Sequence, residues 1–163
     1  MKKYQGFTVI ELLMVLVILS IITAFAVPSY QEYTRKKDRA VAQQEMQKIA
    51  ADLERFRGKN FTYKGFTLPN ESGTAPQANA PVERTVSVNG KEIYTIKVTD
   101  NAGVNIANAK ADGFAWRIYA ERTDPAAQAL NYDLLMTSVG ERCMTQAKDT
   151  VKKGTCGDNE VNW

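Results

Sequence analysis

The residues of this 163-residue chain that could do chemistry fall into a few groups. They are a carboxylate, Glu11, set inside an apolar run; two cysteines, Cys143 and Cys156; three lysines between those cysteines, Lys148, Lys152 and Lys153; and a scatter of later acids. There is no histidine, which removes His-based acid–base catalysis, Ser–His and Cys–His nucleophile pairs and most zinc hydrolase sites. Asp100, Asp112, Glu121 and Asp124 show no catalytic pairing in their spacing. Asp158, Asn159 and Glu160 lack the pattern of a calcium loop and read as a solvated tail. Asn60-Phe61-Thr62 and Asn70-Glu71-Ser72 match an N-glycosylation pattern that is frequent by chance. No glycine loop for phosphate occurs, so neither a cofactor nor a metal is expected, and no enzyme activity.

Glu11 is the most unusual of these groups. Phe7 to Val27 is a run of 21 residues in which only Thr8, Glu11, Ser20 and Thr23 are polar. A carboxylate in a membrane-spanning helix costs about 2.5–3.5 kcal/mol on insertion scales, so it calls for a partner or a function. The plainer account is a residue near the helix start that snorkels to the interface. A cationic partner has to come from elsewhere, because Phe7–Val27 contains no Lys or Arg. Cleavage after Gly6 would create one: the ammonium of Phe7 would stand four residues before Glu11, about one helical turn away.

Cys143 and Cys156 enclose twelve residues. In a reducing cytosol they would stand as free thiols; in an oxidising compartment a disulfide closing this loop would contribute about 3 kcal/mol. The spacing is not that of a redox C-x-x-C pair. Within the loop, Lys148, Lys152 and Lys153 outnumber Asp149, so phosphate contacts are conceivable, but a solvated loop is the favoured reading. The whole chain supports that restraint: its net charge is +3, and loss of Lys2 and Lys3 would leave 19 basic against 18 acidic side chains.

These groups need elements to position them. The 21-residue run would span about 31 Å as a helix, close to the thickness of a bilayer core. A cleaved secretory signal would have a shorter apolar core and a small-residue cleavage site after it, whereas here Pro28 follows, so the run reads as a retained anchor. Counting charges, Arg35, Lys36, Lys37 and Arg39 outnumber Lys2 and Lys3, but the latter adjoin the span; with the cysteines favouring an oxidising side, the N-terminus is placed in the cytoplasm. Pro28 removes a backbone donor and predicts a kink. Beyond it Tyr30, Tyr33, Ala42, Met46, Ile49, Ala50, Leu53 and Phe56 recur at helical spacing, with Glu32, Lys36, Lys37, Glu45, Lys48 and Arg55 opposite, and Gly58 as a stop. Residues 68–82 read as loop. Strands follow around Val86–Val88, Tyr94–Val98, Phe114–Ala120 and Tyr132–Met136, with Asn89-Gly90 as a hairpin turn. A two-residue turn would set Val86 opposite Ile93, on the face away from Tyr94. Three or four antiparallel strands against the helix stripe make an α+β head.

Gly6-Phe7-Thr8-Val9-Ile10-Glu11-Leu12-Leu13, after a short basic leader and before an apolar helix, resembles the class III signal of type IV pilins. The resemblance continues through Pro28-Ser29-Tyr30-Gln31-Glu32-Tyr33. Arg39-Ala40, Ala50 and Leu53-Glu54-Arg55-Phe56 are similar to residues of minor pilins of the PilE class. It implies a leader of residues 1–6, a long helix over 7–57 that serves first as membrane anchor and then as filament core, and a β head over 58–163. It further implies that a prepilin peptidase cuts between Gly6 and Phe7 and methylates the new amine. Glu11 then meets the Phe7 amine of an adjacent subunit, and Cys143 and Cys156 form a C-terminal disulfide loop. The implied partners are other major and minor pilins, an assembly platform and the inner membrane. The function implied is that of a minor pilus subunit supporting assembly or priming, and with it twitching motility, adhesion or DNA uptake. The alternatives are a type II secretion pseudopilin, against which the cysteine pair argues mildly, and a DNA-binding competence pilin.

Overall fold

Thr8 starts the first element. In the computed structural model, which describes residues 7–68, 80, 82–158 and 161–163, its Oγ1 accepts the Glu11 N–H at 3.3 Å and its carbonyl accepts the Leu12 N–H at 3.2 Å. This is an N-cap on helix α1, Val9–Asn60. The few hydroxyls in the apolar half are satisfied internally: Ser20 donates to the Val17 carbonyl at 2.7 Å, and Thr23 to that of Leu19 at 2.9 Å. That is how polar side chains persist on a helix without solvating partners. Pro28 lies inside α1. The helix passes Gly58, the expected stop, and ends at Asn60; Phe61 takes the left-handed backbone (φ 61°) and its N–H closes on the Arg57 carbonyl at 2.7 Å. Asn60 Nδ2 donates to the Phe56 carbonyl at 3.0 Å, so side chain and turn supply the termination that glycine does not.

The chain divides into two compact units, Met1–Lys37 and Asp38–Trp163. In the second, the later half of α1 packs on a six-stranded sheet: β1 (Glu83–Val88), β2 (Lys91–Thr99), β3 (Arg117–Arg122), β4 (Asp133–Thr137), β5 (Arg142–Thr145) and β6 (Val161–Asn162). The strands lie in sequence order, and every neighbouring pair is antiparallel. This is the α+β, pilin-like arrangement expected, with more strands than the three or four foreseen. β5 and β6 have four and two residues, too short for alternation to reveal them.

Ala42, Met46, Ile49, Ala50 and Leu53 form the buried stripe of α1, and they share one core with Tyr94, Ile96, Val98, Ile118, Ala120, Leu134 and Met136. Phe56 packs edge-on against Phe66, with ring centroids 5.6 Å apart. Tyr30 and Tyr33 keep the same spacing but are exposed. Side chains on the opposite face of the sheet are covered as well: Tyr119, Leu135, Cys143, Val151 and Cys156 make a second cluster. All five residues of β4 are therefore buried, although strict alternation would leave two of them wet.

The hairpin between β1 and β2 has the two-residue turn expected, with Asn89 (φ 53°) and Gly90 (φ 76°) both left-handed and Val88 paired with Lys91. Its register departs from the expectation. A shift between Val86 and Ser87 sets Val86 opposite Tyr94, not Ile93, so both enter the core. Phe114, expected in the third strand, lies before it and is exposed; β3 begins at Arg117. Most of the proline-rich loop (69–79 and 81), Asn70-Glu71-Ser72, Asn159, Glu160 and the leader 1–6 lie outside the described residues.

Candidate functional site

Two regions carry the chemistry singled out in the sequence, and each belongs to its own unit. In the first, Gly6 lies outside the described residues, and Phe7 is 85% exposed. Glu11 follows in the first turn of α1, with its backbone N–H capped by Thr8. Threonine three residues before glutamate is the spacing of a capping box, a helix-start signal legible in the sequence. From Val9 to Val27 the apolar side chains are all exposed within the chain, on a helix long and apolar enough to cross a membrane. A surface of this kind stays out of water only in lipid or against other apolar helices. Its one carboxylate supplies a charge that an amine can meet.

In the second region, Cys143 on β5 and Cys156 are joined by a disulfide with Cα atoms 6.1 Å apart. Between them a 3-10 turn, Val151–Lys153, plugs Val151 into the second core cluster. Gly154 closes that turn with a left-handed φ of 80°. A Cβ there would run into the Arg117 guanidinium, so this side chain of β3 occupies the space a side chain at 154 would need. Arg117 also donates to the Lys153 carbonyl at 3.4 Å and to the Asn101 carbonyl, tying the loop to the sheet.

The three loop lysines are exposed but not equivalent. Lys152 Nζ lies 2.7 Å from Asp149 Oδ1 and 3.0 Å from Glu121 Oε1 on β3. Glu121 Oε2 is also 3.8 Å from Lys97 Nζ. The hydrogen bonds to Asp149 and then Glu121 raise the Lys152 ammonium above its ordinary range, and the bond from Lys152 holds the Asp149 carboxyl below its own. Lys148 is exposed beside this pair, and Lys153 on the turn. Lys97, Glu121, Thr123, Lys148, Asp149 and Lys152 line a cleft of about 250 Å³ that also takes in Arg122 and Asp133.

Arg122 and Asp133 were not anticipated. Both are buried, and they pair at 2.9 Å. Their signal was in the strand pattern: Arg122 continues the inward alternation of Ile118 and Ala120, an odd place for a charge without a partner. The carboxylates weighed for catalysis are engaged otherwise. Asp100 is buried and accepts N–H groups from Ala102, Val104 and Asp112 at 2.8–3.1 Å, while Asp124 accepts those of Ala126 and Ala127. Each organises a loop.

The family resemblance is independently supported. Residues 28–158 match the family described as type IV minor pilin ComP, DNA uptake sequence receptor. Residues 1–27 match the prokaryotic N-terminal methylation motif. Among curated proteins, the chain is 34% identical over 103 residues to a fimbrial protein of Pseudomonas aeruginosa, covering 62% of this chain and 63% of that protein. It is 34% identical over 122 residues to the type IV major alpha-pilin of Moraxella bovis, covering 66% and 76%. With fimbrial protein EcpC of Eikenella corrodens the figures are 31% over 118 residues, covering 71% and 69%. The chain thus spans somewhat less than two thirds of the length of the Pseudomonas relative. No solved structure matches it significantly.

Proposed function

The chain belongs to the type IV minor pilins, and from that membership we propose that it is a minor subunit of a type IV pilus whose head binds DNA. The observation that carries this reading is the succession, in one chain, of a methylation motif over residues 1–27 and a minor-pilin match over 28–158. The precursor sits in the bacterial inner membrane by its apolar helix. A prepilin peptidase removes residues 1–6, cutting after Gly6, and methylates Phe7. Glu11 then meets the Phe7 amine of a neighbouring pilin as the helices pack into the filament core, drawn from the membrane by the assembly platform. A single ion pair in apolar surroundings serves as a register device more than as a source of net stability. Pro28 gives the helix a point of bending between its apolar and amphipathic halves.

DNA ranks higher in this reading than the charge count alone placed it. The matching family is described as a DNA uptake sequence receptor, and the head presents Lys148 and Lys153 on a disulfide-closed loop. Such a patch contacts phosphates, so its binding weakens as salt rises. The test has two arms. The chain is looked for by antibody in pili sheared from cells, and absence there would remove the subunit role. The full chain in detergent is titrated with a fluorescent duplex, and the Lys148→Ala/Lys153→Ala variant is expected to bind more weakly with a flatter salt dependence. Binding and salt dependence unaltered in that variant would remove the DNA role from this loop.

A further inference from the structure

The three lysines of the disulfide loop look interchangeable in the sequence, but among the described residues only Lys152 is enclosed by acids. Lys152 Nζ has Asp149 at 2.7 Å and Glu121 at 3.0 Å. Asp149 lies in the loop three residues earlier, whereas Glu121 stands on β3, so the ammonium joins the turn to the sheet. Side-chain exposure separates the partners: Glu121 is 18% exposed, against 45% for Lys152 and 48% for Asp149, so the anchor point is the better fixed end. A phosphate approaching Nζ would have to displace two carboxylates already in hydrogen-bond reach and would be repelled by both. Lys148 and Lys153 face no such competition, as neither has a carboxylate within ion-pair distance among the described residues. Lys97 and Lys152 balance Glu121 and Asp149 within the cleft, which leaves Lys148 and Lys153 as the net charge of the patch.

We infer that Lys152 is the latch of the disulfide loop and not a phosphate contact, and that Glu121 and Asp149 withhold it from the interface formed by Lys148 and Lys153. The second half rests on the DNA-binding reading above. The latch complements the disulfide: the covalent bond closes the ends of the loop, and Lys152 sets the position of its middle, where Lys148 and Lys153 are displayed. Glu121 on β3 thereby holds the loop through Lys152 and, by occupying that ammonium, limits the affinity for DNA. Asp149 suits the role because its left-handed backbone (φ 61°) is one that Asp and Asn tolerate better than other side chains.

The test uses the full chain in detergent with its disulfide intact, a fluorescent duplex of mixed sequence, and a series of salt concentrations. Each neutralised phosphate contributes a slope of about 0.9 to log K against log salt. Lys148→Ala and Lys153→Ala are each expected to flatten the slope by about that amount. Lys152→Ala is expected to leave the slope unchanged while speeding hydrogen exchange of the Lys153 and Gly154 amides by about tenfold. The Glu121→Gln/Asp149→Asn variant frees Lys152, and with it Lys97, without a strained backbone. It is expected to steepen the slope by at least about 0.9, a gain that adding Lys152→Ala abolishes, and to tighten binding severalfold. A Lys152→Ala slope flattened like that of Lys148→Ala, or a double carboxamide variant with an unchanged slope, overturns the inference and leaves the DNA reading standing. Absence of duplex binding by the unaltered chain overturns the DNA reading and with it the withholding role. Exchange that Lys152→Ala does not speed overturns the latch itself, whatever the DNA result.

Discussion

Asp133 is the buried carboxylate that holds Arg122, the most connected polar side chain of the head among the described residues. Its Oδ1 accepts from both the backbone N–H and Nε of Arg122 at 2.9 Å, and its Oδ2 accepts from Nη2 at 3.3 Å. The remaining guanidinium donors reach the carbonyls of Asn131 at 2.9 Å and Gln146 at 3.0 Å. One buried pair therefore joins β3, the loop before β4 and the start of the disulfide loop. Removing one member leaves the other charge buried and alone, which costs about 3–5 kcal/mol. Asp133→Asn is expected to lower the unfolding free energy by about that much in urea titrations; a loss under about 1 kcal/mol would show that water or a neighbour compensates the arginine.

Tyr94 adds a pH dependence at the same scale. Its hydroxyl donates to the Tyr132 carbonyl at 2.8 Å, and burial, then the nearby Asp133 charge, pushes its pKa well above the ordinary range. Burial also raises Tyr63 and Tyr119. Below about pH 10 the folded and unfolded chains are both protonated at these groups, and the stability they contribute is fully present. Above it the unfolded chain gives up protons that the folded head retains, so stability falls as pH rises. Tyr94→Phe is expected to make that alkaline decline shallower while costing about 1 kcal/mol at neutral pH for the lost hydrogen bond. An unchanged slope of stability against pH between about 10 and 12 would assign the decline to other groups.

At the scale of elements, α1 and the disulfide loop cover opposite faces of the same strands. The α1 stripe was legible because Ala42, Met46, Ile49, Ala50 and Leu53 repeat at the helical period. Yet Tyr30 and Tyr33 share that period and are exposed. Periodicity marks a face; it does not say what covers it. The second cover was not legible, because Leu135, Cys143, Val151 and Cys156 come from three places in the chain and have no common period. The fit between loop and sheet depends on Gly154 lying under Arg117. Gly154→Ala must hold a left-handed φ of 80° and also swing the Arg117 guanidinium off the Lys153 and Asn101 carbonyls, so a loss of about 2 kcal/mol is expected in thermal unfolding. Gly140→Ala is the control: its φ is 90° but open space surrounds it, so only the conformational cost of about 1 kcal/mol applies. Equal losses would mean that Arg117 yields freely.

For the whole molecule the decisive feature is the contrast between a head with its own core and an N-terminal apolar helix that buries nothing against its own chain. The helix gains stability only from lipid or from other helices, so the protein is completed by assembly. Glu11→Val removes the single charge from the apolar run and makes it more apolar still, so membrane insertion is expected to persist while recovery in sheared pili falls. Full recovery would remove the register role of Glu11. Intact-mass spectrometry of the membrane-extracted chain checks the preceding step. A mass beginning at methylated Phe7 is expected, and an intact Met1 in a peptidase-competent host would contradict processing.

The N-terminal run, its embedded Glu11, the methylation motif of residues 1–27, the amphipathic stripe and the Asn89-Gly90 turn were all legible in the sequence alone. They are local: spacing over a few residues sets hydrophobic period, backbone sign and helix start. The tertiary structure decided everything that depends on distant segments meeting. It placed Val86 opposite Tyr94 through a shift in the hairpin, and it paired Arg122 with Asp133 in the core. It also brought Glu121 of β3 to Lys152, which separates one lysine from two that had looked like its equals. Such pairings follow from strand order and register, and those are set by how the whole sheet packs between its helix and its disulfide loop.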